Sequence, residues 1–138
     1  MAIHASAASF NLALKKYGQT TVPGLMQGRM AVIAFTAAKS LTELTPVDRG
    51  RAKGNWQTTL REPAEGEVER LDPSKKGSPG VPAMMEALER VQGWQPGEWV
   101  WFHNGVPYIT YLNDGTERTE AHHMLERTAE YLRGWLKV

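Results

Sequence analysis

Between residues 23 and 44 the apolar side chains Met26, Met30, Ile33, Ala37, Leu41 and Leu44 recur at spacings of four and three, which lines them along one side of a helix. Arg29, Lys39 and Glu43 fall on the other side. Leu25, Val32 and Phe35 lie off the main stripe with Gly28 near them, so this helix carries a second apolar strip. Either another element of the same domain or a neighbouring subunit covers that strip. Pro23 suits the first helical turn, and Thr20 or Thr21 is available to cap it.

Three more helical patterns follow the same logic. Residues 5–17 carry Phe10, Leu12 and Leu14 and end at Lys15, Lys16 and Gly18. Val81-Pro82 opens a helix with Met84, Leu88 and Val91 on one side and Glu86, Glu89 and Arg90 on the other, closed by Gly93. Residues 120–136 place Ala121, Leu125, Thr128, Leu132 and Leu136 together, with Met124 and Trp135 beside them and Glu126, Glu130, Arg133 and Lys137 opposite. This last pattern predicts a helix that docks on the rest.

Strand-like chemistry appears elsewhere. Residues 51–60 are mixed polar and β-tolerant and predict a strand that touches solvent, while residues 98–104 are rich in aromatic and β-branched types. Asn104-Gly105 is a turn dipeptide, and residues 108–112 form a short extended or helical run. A strand, turn, strand arrangement sets residues 99–103 beside 108–112. Residues 62–80, rich in Pro, Glu, Gly and Lys, lack alternation and predict a flexible, solvated excursion, with a strand around 67–71 the one regular piece it allows. The fold class is α+β: one long helix and two or three shorter ones packed on a small, mostly antiparallel sheet.

At the corner between the long helix and the first strand lies Thr45-Pro46-Val47-Asp48-Arg49-Gly50-Arg51-Ala52-Lys53-Gly54-Asn55-Trp56. Pro46 lacks an N–H and steers Thr45 out of the helical region, which ends the helix. Asp48 can accept a hydrogen bond from a backbone N–H two residues on, and Gly50 can take positive φ, so 47–50 reads as a tight turn.

Thr-Pro-Val-Asp-x-Gly-Arg-x-x-x-Asn-Trp resembles a signature of the tail-completion, or neck, family of lambda-like tailed bacteriophages, small proteins that join the filled head to the tail. A second signature of that family resembles Asn104-Gly-Val-Pro107-Tyr108-Ile-Thr-Tyr-Leu112-Asn-Asp-Gly115. The two stretches occur in the family's order, and the likeness runs over residues 24–124. Arg49 departs from the small hydroxyl residue usual there, and residues 117–124 depart from the run that normally follows the glycine. The resemblance implies that Pro46, Asp48, Gly50, Asn55, Trp56, Asn104, Pro107, Tyr108, Leu112 and Gly115 carry structural roles. It further implies a subunit that is not an enzyme and forms a ring with copies of itself, a hexamer being one size that fits. Its neighbours would be the head connector or stopper on one side and the tail tube or tail terminator on the other. Such a subunit resides in the virion and is assembled in the bacterial host cytoplasm.

Composition narrows the alternatives. A chain of 138 residues with 41% hydrophobic and 22% charged residues makes one globular domain, residues 1–138. A formal charge of +1 leaves nucleic-acid contact to a local patch, and DNA packaged near the lumen is an incidental partner at most. The absence of cysteine excludes disulfides and thiolate chemistry. No apolar run is long enough for a membrane anchor and the N-terminus does not read as an export signal, so no membrane partner is expected.

Candidate chemistry is sparse. His122 and His123 are adjacent and diverge on a helix; Glu65, Glu67 and Glu69 alternate along a loop; Lys75-Lys76-Gly77-Ser78 lacks the spacing of a phosphate-cradling loop. No cofactor is expected. Ring contacts of a heterologous kind need two different patches. Leu25, Val32 and Phe35 are the candidates for one, and residues 62–80 with Trp99 and Trp101 for the other. Arg49, Arg51 and Lys53 form the one basic cluster of positional interest, able to meet carboxylates of an adjoining ring or phosphates. With Trp56 they support the rival reading, a small nucleic-acid-binding or nuclease-like domain. A third reading, a hydrolase, rests on His103 and Glu98.

Overall fold

The computed structural model describes residues 22–136, and the helix expected over residues 5–17 lies outside them. Helix α1 (Val22–Leu44) leads through the corner to a helical turn α2 (Arg51–Gly54) and strand β1 (Trp56–Leu60). Helix α3 (Val81–Val91), strand β2 (Val100–Asn104), α4 (Ile109–Asp114) and α5 (Met124–Trp135) follow. The architecture is α+β, as the pattern predicts, with a 23-residue helix and shorter ones around a two-stranded antiparallel sheet. Among the described residues no helix is long and apolar enough to cross a membrane.

Small side chains decide how α1 and α3 meet. Ala34 and Ala38 on α1 face Met84, Ala87 and Val91 on α3, and Trp94 closes the cluster. Alanines let the two backbones come close, because interaxial distance follows the side chains at the contact. A second cluster joins Leu41, Trp56, Ala83 and Met124, and Phe102 packs against both clusters from the sheet. Two expectations are corrected here. Of the stripe on α1 only Ala37 and Leu41 are buried, joined by Ala34 and Ala38 beside it, whereas Met26 is exposed. Phe35, expected on the outer strip, packs on the first cluster, so only Leu25 and Val32 remain exposed there, at 64% and 49%.

Hydrogen bonds fasten polar positions within this core. Thr42 Oγ1 lies 2.7 Å from the Ala38 carbonyl, to which it donates, and accepts the Gly80 N–H at 2.8 Å. A side chain on Gly80 would run into Thr42, so the excursion returns to α1 through a glycine. Among the described side chains of α5, Met124 and Thr128 are buried while Leu125 is exposed, which rotates the buried face away from the expected stripe. The cause is a tether at the helix start. Asn113 Oδ1 accepts the Leu125 N–H at 3.1 Å, and the Asn113 carbonyl accepts the His123 N–H at 2.9 Å. The helix begins at Met124 rather than near residue 120, and Ser40 and Thr128 share a hydroxyl contact at 2.7 Å.

The sheet corrects the expected hairpin. β2 pairs with β1, in the register Trp56↔Asn104, Thr58↔Phe102 and Leu60↔Val100, and residues 109–114 are helical. After β2 the chain cannot turn straight back as a strand. Asn104 Oδ1 holds the Val106 N–H at 3.3 Å, the Ile109 N–H bonds the Val106 carbonyl at 3.2 Å, and helix α4 follows. Residues 51–54 are likewise a helical turn and not the start of the strand. The Gly54 N–H reaches the Gly50 carbonyl at 2.9 Å, and Asn55 Nδ2 donates to the Arg51 carbonyl at 2.8 Å.

Candidate functional site

The corner is built from backbone carbonyls that side chains and N–H groups from distant segments satisfy. Gly50 adopts φ 85°, and its carbonyl accepts N–H groups from both Gly54 and Asp72 at 2.9 Å. Trp56 donates its indole N–H to Thr45 Oγ1 at 2.8 Å, and Thr45 donates in turn to the Leu41 carbonyl at 2.6 Å. Thr45 therefore ends α1 and anchors the first residue of β1 at once. Asn55 Oδ1 accepts the Val68 N–H at 2.7 Å.

The two sequence signatures meet in space. Asn104 Nδ2 donates to the Ala52 carbonyl at 2.8 Å, and the Arg51 guanidinium lies 5.6 Å from the centre of the Tyr108 ring. Between them runs a half-open groove of about 430 Å³, lined by Pro46, Val47, Asp48 and Arg49 on one wall and Tyr108 and Leu112 on the other. Of the ten signature residues, Gly50, Asn55, Trp56 and Asn104 are buried, Asp48 and Pro107 are exposed, and Pro46, Tyr108, Leu112 and Gly115 are half-buried. The buried ones hold the corner together; the others shape the groove or the turns beside it.

The basic cluster does not act as one surface. Lys53 is fully buried, and its Nζ donates to the carbonyls of Ser78 at 2.7 Å and Lys75 at 3.1 Å and to Ser78 Oγ at 3.2 Å, with the Ser74 carbonyl at 3.5 Å. Arg51 forms a two-pronged ion pair with Glu67, its Nε donating at 2.7 Å. Arg49 alone stands exposed with no ion pair among the described residues. The guanidinium hydrogen bond, followed by its charge, holds the Glu67 carboxyl below the usual carboxylate range. A depressed folded-state value means the pairing contributes at neutral pH and is lost as pH falls through that lowered value. An NMR titration of Glu67 is expected to show this depression, and Arg51→Met should abolish it.

Residues 62–80 contain no strand, and much of their length is exposed. They are nonetheless bonded to the corner. Arg70 Nε donates to the Gly54 carbonyl at 2.7 Å, its Nη2 donates to the Trp56 carbonyl at 2.8 Å, and the same guanidinium reaches Glu86 on α3 at 3.3 Å. Asp72 is buried and accepts the Ser74 N–H at 3.1 Å. Sequence reasoning missed Arg70, Asp72, Asn113 and the enclosure of Lys53. Only Asn113, in an Asn-Asp-Gly run, carried a signal of a turn or cap.

His103 and Glu98 are engaged separately: His103 Nε2 sits 3.2 Å from the Gly66 carbonyl, while Glu98 pairs with Arg61 and accepts the Gln95 N–H at 2.7 Å. His122 and His123 precede α5 and are not on it as expected; His123, at its N-cap, lies 3.9 Å from Glu126, an exposed pair. Among the described residues, no group of three or more such side chains is placed to hold a metal ion. The exposed surface instead offers apolar groups, Leu25 and Val32 on α1 and Trp99 and Trp101 at β2, the tryptophans 70% and 37% exposed with ring centres 5.9 Å apart. No family model matches the chain, and neither a curated protein nor a solved structure is significantly similar to it.

Proposed function

We propose that this protein is a structural subunit of a tailed-phage neck that completes the tail and joins it to the head through ring-like self-association. The observation that carries the reading is the bond from Asn104 to the Ala52 carbonyl, which ties together the two stretches that resemble the neck family. Asn55, Trp56 and Asn104 of these stretches are engaged in holding the corner, the role expected of scaffolding in an assembly protein. A rigid corner fixes the relative direction of α1 and the sheet, and two of the exposed apolar groups, Leu25 with Val32 and Trp99 with Trp101, sit on α1 and at β2. Leu25 and Val32 supply one patch of a heterologous ring contact and Trp99 with Trp101 the other. The head connector or stopper and the tail tube or terminator are the further partners, and the virion is its place of residence.

The decisive experiment is complementation. Lysates of the parent phage lacking this chain are expected to contain separate filled heads and tails by electron microscopy, and added purified protein should restore joined particles. Normal infectious particles in its absence would overturn the reading. Val32→Asp is expected to leave the monomer's stability within about 0.5 kcal/mol, as for an exposed position, while lowering the yield of joined particles at least several-fold. Unchanged yield removes Val32 from the interface. The same substitution at Phe35 is no test of assembly, because Phe35 supports the core.

The rival, phosphate recognition by Arg49, Arg51 and Lys53, is weakened by the burial of Lys53 and the pairing of Arg51. A gel shift across a salt series separates the two readings. Retention of duplex or single-stranded DNA at physiological salt, weakening steeply as salt rises, would favour the rival.

A further inference from the structure

We propose that the open edge of β2 pairs, antiparallel and about a two-fold axis, with β2 of a second copy of this chain. Hydrogen-bond direction along an antiparallel strand alternates residue by residue. The Arg61 N–H bonds the Trp99 carbonyl at 3.0 Å, which with the register makes 61/99, 59/101 and 57/103 the bonded pairs. The N–H and C=O groups of Val100, Phe102 and Asn104 therefore point away from β1. Among the described residues, no hydrogen bond reaches the main-chain groups of Val100 or Phe102 from that side, and the sheet ends there. The opposite edge is different: on β1, the Trp56 carbonyl accepts Arg70 and the Leu60 carbonyl accepts the Glu62 N–H.

The open edge also lacks the protections that keep strands apart. Val100-Trp-Phe-His-Asn104 contains no Lys, Arg, Asp, Glu or Pro, whereas solitary edges are usually blunted by charge, proline or bulges. Identical uncharged strands meet without like-charge repulsion. A two-fold at Phe102 aligns 102 with 102 and 100 with 104, so every outward residue exchanges both its bonds. On the outer face it sets Trp101 against His103 of the second copy, a non-bonded pair whose side chains lie closest.

Area sets the strength. From their exposures, Trp99 and Trp101 offer roughly 150–270 Å² per copy at 150–250 Å² per aromatic, well short of the ~800 Å² per partner of a standard interface. The contact is therefore a weak one that concentration populates. A two-fold contact closes on itself, so it pairs free subunits through the tryptophan patch and must open before that patch meets α1 of a ring neighbour.

The chain has no cysteine, which makes register readable by cross-linking. Trp101→Cys and His103→Cys, each folded by circular dichroism, are oxidised alone and as an equal mixture. Pairing about Phe102 predicts that the mixed dimer outweighs both homodimers well beyond random proportions. Random proportions, or no cross-link, overturn the proposal. Independently, the average mass of the unaltered protein by sedimentation should rise with concentration, and Val100→Pro, which deletes one outward N–H at a strand start that tolerates proline, should suppress the rise. A monomer mass at every concentration is equally fatal. Both measurements use purified protein, so they stand apart from the head-to-tail reading.

Discussion

Lys53→Met is expected to destabilise the fold by about 2–4 kcal/mol, because it keeps an apolar stem in the buried position and strips the donor from a cage of carbonyls. Each buried acceptor left without a partner costs on the order of 1–3 kcal/mol, and the Ser74 and Ser78 carbonyls belong to half-buried residues while Lys75 is an exposed residue. Urea titration should show the midpoint falling by about 1–2 M with an unchanged slope of about 2 kcal/mol per molar. The exposed neighbour supplies the contrast: Arg49→Met should stay within about 0.5 kcal/mol. Equal small effects at both positions would mean that the ammonium does not pin residues 74–78 to the corner.

Gly50→Ala and Gly28→Ala are expected to move stability in opposite directions. At Gly50 a Cβ meets the Asp72 carbonyl oxygen at 2.2 Å, and φ is 85°. The left-handed conformation costs a residue with a Cβ about 1–2 kcal/mol and overpacking against fixed backbone about 1–3 kcal/mol, so a loss of about 2–5 kcal/mol follows. Asp72 cannot step aside cheaply, since its N–H is bonded to the Gly50 carbonyl itself. Gly28, within α1, has nothing within 4 Å of an added Cβ. Alanine there should add about 0.5–1 kcal/mol through helix propensity. Thermal melts of the two variants decide it, and a neutral Gly50→Ala would show that the corner is looser than its bonds imply.

These two positions also mark where sequence reading succeeds and where it stops. Gly50 was legible, because a Pro46-to-Gly50 run after a periodic helix can only turn, and a turn of this type calls for positive φ. Lys53 was not. As one of three basic residues at alternate positions it reads as part of a surface cluster, and nothing local says that the chain returns at 74–78 to enclose it. Phe35 shows the same limit on α1. Periodicity identifies the helix well, but with apolar residues on several sides it does not say which side the partner helix takes.

Local chemistry thus determined the long helix, its end at Thr45, the turn at Gly50, the helix opened by Val81-Pro82 and two β-rich segments, each through backbone preferences that neighbours in sequence set. Tertiary structure decided which strand pairs with which, which face of α1 is buried and which cations stay in solvent. Those outcomes depend on the close approach of small residues, Ala34 and Ala38 to Ala87 and Gly80 to Thr42, and on carbonyls whose donors lie far along the chain. Non-local contacts of that kind have no period and no spacing to read.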